Sequence, residues 1–269
     1  RDDVVILDKD DHASIVDGAR LGYGKIERFK HNDSIHLERV LKSIPENAGK
    51  LIAVDGVFSM GGDLADLPKL VPLAKKYNSR IMVDDAHGIG VTGRGRGTTE
   101  QFGLTDQVDL IMSTFSKSFA SLGGFIAGDD DTIHYIKHTA RALIFSASIP
   151  AANTAAALAA LKIMRDEPER VDQVNRIGER VRTGLKAIGF NIANSVTPIV
   201  PVIIGDDRKT FDTWKALFEN GIFVNPVISP AVPPGMQLLR TSYMATHTDS
   251  QIDRVLEVFA AVGKANNLI

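Results

Sequence analysis

The 269 residues are enough for one large domain, or a large one with a small appendage, and 44% apolar with 24% charged residues is an ordinary globular composition. A net charge of −2 supplies no basic field for nucleic acid, and the lack of cysteine excludes disulfides, thiolate zinc sites and a cysteine nucleophile. No apolar run approaches the ~20 residues that span a bilayer.

The first stretch, "RDDVVILDKDDH", is too short in its apolar part to be a signal peptide. It enters a strand-like run at once, so the chain is expected to lack its natural beginning. Strands are predicted at 4–7, 51–55, 80–84, 108–113 and 124–127, as short β-branched or apolar runs. Between them, 34–44 and 66–77 carry helical spacing, for example Leu67, Leu70, Val71 and Ala74. Apolar strands separated by helices imply an α/β fold with a mainly parallel sheet covered on both faces.

From 151 to 188 the pattern is helical, first alanine-rich and then, past Pro168, charged and amphipathic. The remainder changes character. "TPIVPVIIG" reads as strand, 208–219 as helix, "IFVNPV" as strand and 248–264 as a terminal helix opened by Thr248, with "SPAVPPG" (229–235) as a proline-stiffened loop. A large domain, 1–185, followed by a smaller α+β domain, 186–269, is therefore expected.

Two features stand at predicted strand ends, where open α/β sheets place ligands. In "VDDAHGIG" (83–90), Asp84 closes a strand and His87 follows in a glycine-flanked turn. On the residues alone, Asp84 and Asp85 can simply close that strand. One Asp and one His make an incomplete metal site, and no G-x-S-x-G elbow supports a serine hydrolase. In "MSTFSKSFASLGGF" (112–125), Lys117 sits among small hydroxyl and glycine residues just after an apolar run. Thr114 and Ser116 suit phosphate oxygens, and Gly123 and Gly124 allow close backbone approach. A lysine in such a setting is either a solvated surface group or an amine able to form a Schiff base. Together, a strand-end carboxylate and a strand-end lysine match the needs of a pyridinium cofactor, a carboxylate for its ring nitrogen and an amine for its aldehyde.

"VDDAHGIGVTGRGRG" followed by "STFSKSFASLGGF" resembles the α-oxoamine synthases, pyridoxal-phosphate enzymes of aminotransferase fold type I, and the likeness runs over essentially the whole chain. These enzymes condense an amino acid with an acyl-CoA and release carbon dioxide. "LIFSASIP", "GIFVNPVISPAVP" and "LLRTSYMATHT" are most similar to the bacterial branch that takes L-serine and a long-chain acyl-CoA to a 3-keto long-chain base. Other branches make 2-amino-3-ketobutyrate, 8-amino-7-oxononanoate or 5-aminolevulinate, and a non-catalytic, pyridoxal-phosphate-binding regulatory subunit is a further reading. The resemblance implies that Lys117 is the Schiff-base lysine, that Asp84 partners the pyridine nitrogen and that His87, with Ser59, holds the phenolic oxygen. It implies that His12 stacks on the ring and touches the substrate carboxylate, that Thr114 holds phosphate and that Arg240 grips the carboxylate. It further implies pyridoxal 5'-phosphate as cofactor, no metal, a homodimer, and a cytoplasmic enzyme with peripheral membrane contact left open. Two departures stand out: Gly61 in "SMGGD" replaces the family's usual acidic residue, and the family's N-terminal arm and phosphate-cradling glycine segment have no counterpart.

Overall fold

The computed structural model describes residues 2–269. In chain order the elements begin with strand β1 (Val4–Asp8), helix α1 (Ala13–Arg20), strand β2 (Lys25–Phe29), helix α2 (Ser34–Ser43) and strand β3 (Lys50–Asp55). Helix α3 (Leu67–Lys76), strand β4 (Arg80–Asp84), the short helix α4 (Thr98–Gln101), and strands β5 (Leu110–Thr114) and β6 (Gly124–Gly128) follow. Helices α5 (Asp130–Thr139), α6 (Arg141–Ile144) and α7 (Ala151–Asp166) come next. The last part comprises α8 (Glu169–Ile188), β7 (Ile199–Ile203), α9 (Asp207–Glu219), β8 (Asn225–Val227), β9 (Leu238–Ser242) and α10 (Asp249–Ala265).

The chain forms two compact units. One comprises Leu64–Pro168 together with the chain up to Phe58, and the other comprises Glu169–Ile269 together with Ser59–Asp63. The division near 185 expected from the sequence falls inside α8.

In the first unit, six strands lie in the order β2-β1-β3-β4-β5-β6. The first five are parallel, and β6 runs antiparallel to β5. The three strands at its centre, β1, β3 and β4, are β-branched and apolar because both faces are covered. Ile6, Ile52, Val54, Ile81 and Val83 pack with Leu37 and Leu41 of α2 and with Leu67, Leu70 and Val71 of α3. Leu7 and Ala53 face the other way, onto Ile15 of α1. Each fully buried aliphatic side chain of this kind contributes about 1.5–3 kcal/mol. Local signals place the helices: the Asp33 side chain accepts the His36 N–H to cap α2, and Pro68 sits in the first turn of α3, where its missing N–H costs nothing.

The mainly parallel α/β architecture matches the sequence-based expectation. The strand predicted at 108–113 forms at Leu110–Thr114, and the helical run 151–188 breaks at Glu167–Pro168 into α7 and α8. The "IFVNPV" strand shortens to Asn225–Val227. Strand β2 was not foreseen, because "KIERF" lies at the sheet edge with its charges in solvent and keeps only Phe29 fully buried.

The second unit is built on a three-stranded antiparallel sheet in the order β7-β9-β8. Val200, Val202 and Leu239 from the sheet pack with Ile177, Val181 and Leu185 of α8 and with Val258, Phe259 and Val262 of α10. Thr248 and Gln251 form a reciprocal capping box that starts α10 at the position predicted from the sequence. Ser59–Asp63 is bound into this unit by its backbone. The Gly62 carbonyl accepts the N–H groups of Val196 (3.0 Å) and Thr197 (3.1 Å) and the Thr197 hydroxyl (2.8 Å). A Cβ at Gly62, whose φ is +68°, would lie 2.1 Å from the Ile199 carbonyl oxygen, so only glycine fits.

Candidate active site

Because β1 to β5 are parallel, their last residues share one edge, and Asp8, Asp55, Asp84 and Thr114 stand there at the ends of β1, β3, β4 and β5. Asp55 is in register with Asp84, and Asp84 with Met112. Chain order reverses direction across the sheet between β1 and β3, a place where open α/β sheets leave a crevice for ligands.

Asp84 and Asp85 part company here, since successive residues of an extended chain point to opposite sides. Both are buried. The Asp85 carboxylate is committed to its own loop: Oδ2 accepts the Thr98 N–H and Oδ1 the Thr98 hydroxyl, both at 2.6 Å. Burial raises the Asp85 carboxyl to about 6, against the pull of those Thr98 bonds. Asp84 Oδ1 accepts the Ala86 N–H at 3.0 Å, which fixes the carboxylate at the strand end. The turn after it, with the Gly88 and Ile89 N–H groups bonded to the Asp85 carbonyl, presents half-buried His87.

Lys117 lies exposed in the loop between β5 and β6. Its charge reaches Asp55, whose carboxyl it draws down against the larger effect of burial. Beside it, the Thr114 hydroxyl bonds the Ser116 hydroxyl at 2.8 Å and the Gly123 carbonyl at 3.1 Å, and it also accepts the Ser116 N–H at 3.2 Å. The two glycines serve the chain itself. Gly124 pairs with Thr114 across the β5–β6 ladder, where a Cβ would stand 2.5 Å from the Ser113 carbonyl oxygen.

His12 caps α1. Its Nδ1 lies 2.8 Å from the Ser14 hydroxyl and accepts the Ser14 N–H, with the ring exposed. His12, Asp55, Asp84, His87, Thr114 and Lys117 therefore belong to one unit and follow the ends of β1, β3, β4 and β5. Ser59 and Arg240 belong to the other. There the Arg240 Nε donates to the Ser59 carbonyl at 2.6 Å from the middle of β9. Arg240 is half-buried, and burial lowers its guanidinium from the ordinary value.

Sequence reasoning passed over Asp8, Asp11 and Asp55. A signal for Asp8 and Asp55 was present: like "RIMVD", the runs "VVILD" and "LIAVD" each end an apolar strand on aspartate. Among the described residues, no group of three or more His, Cys, Asp or Glu is arranged to hold a metal ion. No described helix is long and apolar enough to cross a membrane.

Residues 1–259 match the family model of aminotransferase class I and II. The chain belongs to that family. Within it, the chain groups with the α-oxoamine synthases. It is 49% identical over 265 residues to a serine palmitoyltransferase of Sphingobacterium spiritivorum, covering 98% of this chain and 66% of the relative. A serine palmitoyltransferase of Bacteroides ovatus is 50% identical, covering 100% of this chain and 68% of its own length. An 8-amino-7-oxononanoate synthase of Treponema denticola is 44% identical over 99% of this chain and 68% of its own. Among solved structures, a Sphingomonas wittichii serine palmitoyltransferase superposes with a TM-score of 0.97 at 36% identity, covering 100% of this chain and 68% of that one. The chain thus spans about two thirds of the length of these family members, and its fold is the fold type I architecture expected from the sequence.

The site residues suit the cofactor that the S. paucimobilis serine palmitoyltransferase structure carries, pyridoxal phosphate in a covalent adduct with myriocin. A strand-end carboxylate held by one backbone N–H suits a pyridinium nitrogen. The exposed amine of Lys117 suits an aldehyde, and the paired hydroxyls of Thr114 and Ser116 suit a phosphate.

Proposed function

We propose that this protein is a pyridoxal-phosphate-dependent acyltransferase that joins L-serine to a long-chain acyl-CoA, with loss of carbon dioxide, to give a 3-keto long-chain base. The observation that carries this reading is identity of about half to serine palmitoyltransferases along the whole chain, higher than to the oxononanoate synthases. The strand-end arrangement of Asp84, His87, Thr114 and Lys117 supplies the chemistry.

Pyridoxal phosphate, when bound, supplies an electron sink for bonds broken at the substrate α-carbon. The residues of the chain do the rest. The Lys117 Nζ would hold the cofactor through its aldehyde and would be the base placed to take a proton from the substrate α-carbon. Asp84 keeps a proton on the ring nitrogen, because an ionised carboxylate beside it favours the charged form. His87 would hold the phenolic oxygen, and Thr114 would hold phosphate. His12 would lay its flat face on the ring, and the planar fork of Arg240 suits a carboxylate such as that of the substrate. The active form is a homodimer, checked by mass in solution.

A substrate panel tests the reading. Serine, glycine and alanine, each offered with short and long acyl-CoAs, should give efficient turnover only for serine with a long chain. Turnover of glycine with acetyl-CoA places the protein in the 2-amino-3-ketobutyrate branch, and of alanine with pimeloyl-CoA in the oxononanoate branch. A protein that turns over none of them is a non-catalytic subunit. Arg240→Ala should weaken serine binding at least about tenfold, or ~1.4 kcal/mol, in a spectral titration. Unchanged serine affinity removes Arg240 from the site.

A further inference from the structure

Where the strand order reverses, three carboxyl groups are tied together in the interior. Asp8 and Asp55 end β1 and β3, and Asp11 bridges them: its Oδ2 accepts the Asp8 N–H at 2.8 Å and its Oδ1 the Asp55 N–H at 3.0 Å. Asp55 in turn accepts the His12 N–H on its Oδ2 at 2.6 Å, the shortest of these bonds. It is 5% exposed and in register with Asp84 on the neighbouring strand. So the residue that joins the His12 loop to the sheet is also the carboxyl group beside Asp84.

We propose that Asp55 is a positioning residue of this site: its buried carboxyl group fixes His12 through the backbone N–H and acts on Lys117 through its charge. The inference rests on the proposed function for its catalytic meaning, though not for the coupling itself. The groups that face Asp55 are Asp8 and Asp11 from the end of β1 and the loop after it, His12 from the cap of α1, Asp84 from β4 and Lys117 from the β5–β6 loop.

The balance of these groups gives Asp55 a charge that changes near neutrality. Burial pushes its carboxyl up to about 7. The His12 N–H and Lys117 draw it down, and the charges of Asp84 and Asp8 add to the rise. Asp11, raised further to about 9 by burial and by Asp55 and Asp8, stays protonated through that range. As pH rises through neutrality, negative charge appears on Asp55, and an adjacent negative charge favours the ammonium form of a lysine. The amine that must be neutral to react with an aldehyde is thereby held back by its own neighbour.

The test uses cofactor-free protein and trace acetylation, with the Lys117 peptide read against that of Lys162, exposed on α7. The wild-type Lys117 to Lys162 labelling ratio should fall about threefold or more from about pH 6 to about pH 8, and in Asp55→Asn it should stay flat. The two proteins differ only at residue 55, so the difference between the two profiles isolates Asp55. A flat wild-type ratio overturns the proposal even if the variant fails to fold, and so does the same fall in wild type and Asp55→Asn. The clamp is read separately. Asp55→Asn retains an acceptor oxygen and Asp55→Ala does not, so the His12 amide should exchange with solvent about tenfold or more faster in Asp55→Ala, as expected when a local hydrogen bond is lost. Equal exchange refutes the clamp. A flat labelling ratio with the cofactor still mapped to Lys117 rejects the role of Asp55 and leaves the proposed function standing. Cofactor mapped to another lysine rejects the site and leaves the coupling intact.

Discussion

Strand β3, "KLIAVD", and strand β6, "GFIAG", read alike as short apolar runs, yet they live in opposite conditions. In β3 every residue but Leu51 is buried, whereas in β6 none is. The contrast continues along the chain. The elements around β3 form the main buried cluster of the first unit, while α5 to α7 leave Tyr135, Leu143, Phe145, Leu158 and Leu161 more than half exposed. An apolar run thus tells that a segment prefers cover without telling what covers it. The proposed Schiff-base residue lies where the two regions join, for Lys117 is in the loop from β5 to β6.

The largest expected effect tests that junction. Lys117→Ala should lose turnover by about three orders of magnitude or more, as loss of a covalent catalyst does. Borohydride reduction and peptide mapping of the wild type should find the pyridoxyl group on Lys117, and a label on another lysine would break the assignment. Next comes the contrast in packing itself. Ile52, fully buried in β3, should cost about 2–5 kcal/mol when cut to alanine. Ile126, 40% exposed in β6, should cost ~0.5 kcal/mol or less in the same denaturant titration. Similar costs at the two positions would erase the difference between core and edge.

The paired aspartates sharpen the comparison at a single strand end. Asp85→Asn disturbs the two Thr98 bonds and should lower stability by about 1–3 kcal/mol. Asp84→Asn should leave stability nearly unchanged, retain cofactor and lose most activity, since an amide cannot hold the ring nitrogen protonated. Near-normal turnover in Asp84→Asn, with none in Asp85→Asn, would exchange their roles.

The last effect is spread over pH as a slope. Asp11 and Asp55 keep their protons in the folded chain up to about 9 and about 7, against an ordinary 3.8. Above that ordinary value the unfolded chain has released protons that the folded one retains, so each group makes stability fall as pH rises, until its folded value is passed. The slope is at most ~1.4 kcal/mol per pH unit for each group. Unfolding measured at about pH 5, 7 and 9 should show the decline, and Asp11→Asn should flatten it. Stability that rises across this range would contradict the burial of both groups in neutral form.

What could be read in advance follows from the same contrast. The runs 4–7, 51–55 and 80–84 were legible because a strand covered on both faces must be apolar throughout. Strand β2 was not, since an edge strand keeps polar residues. The helices α5 and α6 were passed over because their residues are charged or exposed on most sides. At the site, the lysine and the Asp-Ala-His turn carry recognisable spacing within one stretch of chain. Asp11 and Asp55 do not. They are 44 residues apart, each looks like an ordinary residue after a strand, and only the pairing of β1 with β3 brings the Asp11 carboxyl to the Asp55 backbone.

The five residues Ser59–Asp63 carry a consequence for how such a protein can be cut and recombined. The second unit is spelled in two places, and its longer part, from Glu169 onward, depends on the Gly62 carbonyl to satisfy Val196 and Thr197. A fragment that starts at Glu169 would carry three donors without their acceptor. A chimaera that takes its C-terminal part from a relative inherits a working unit only if the short loop, spelled far upstream between two strands of the other unit, travels with it.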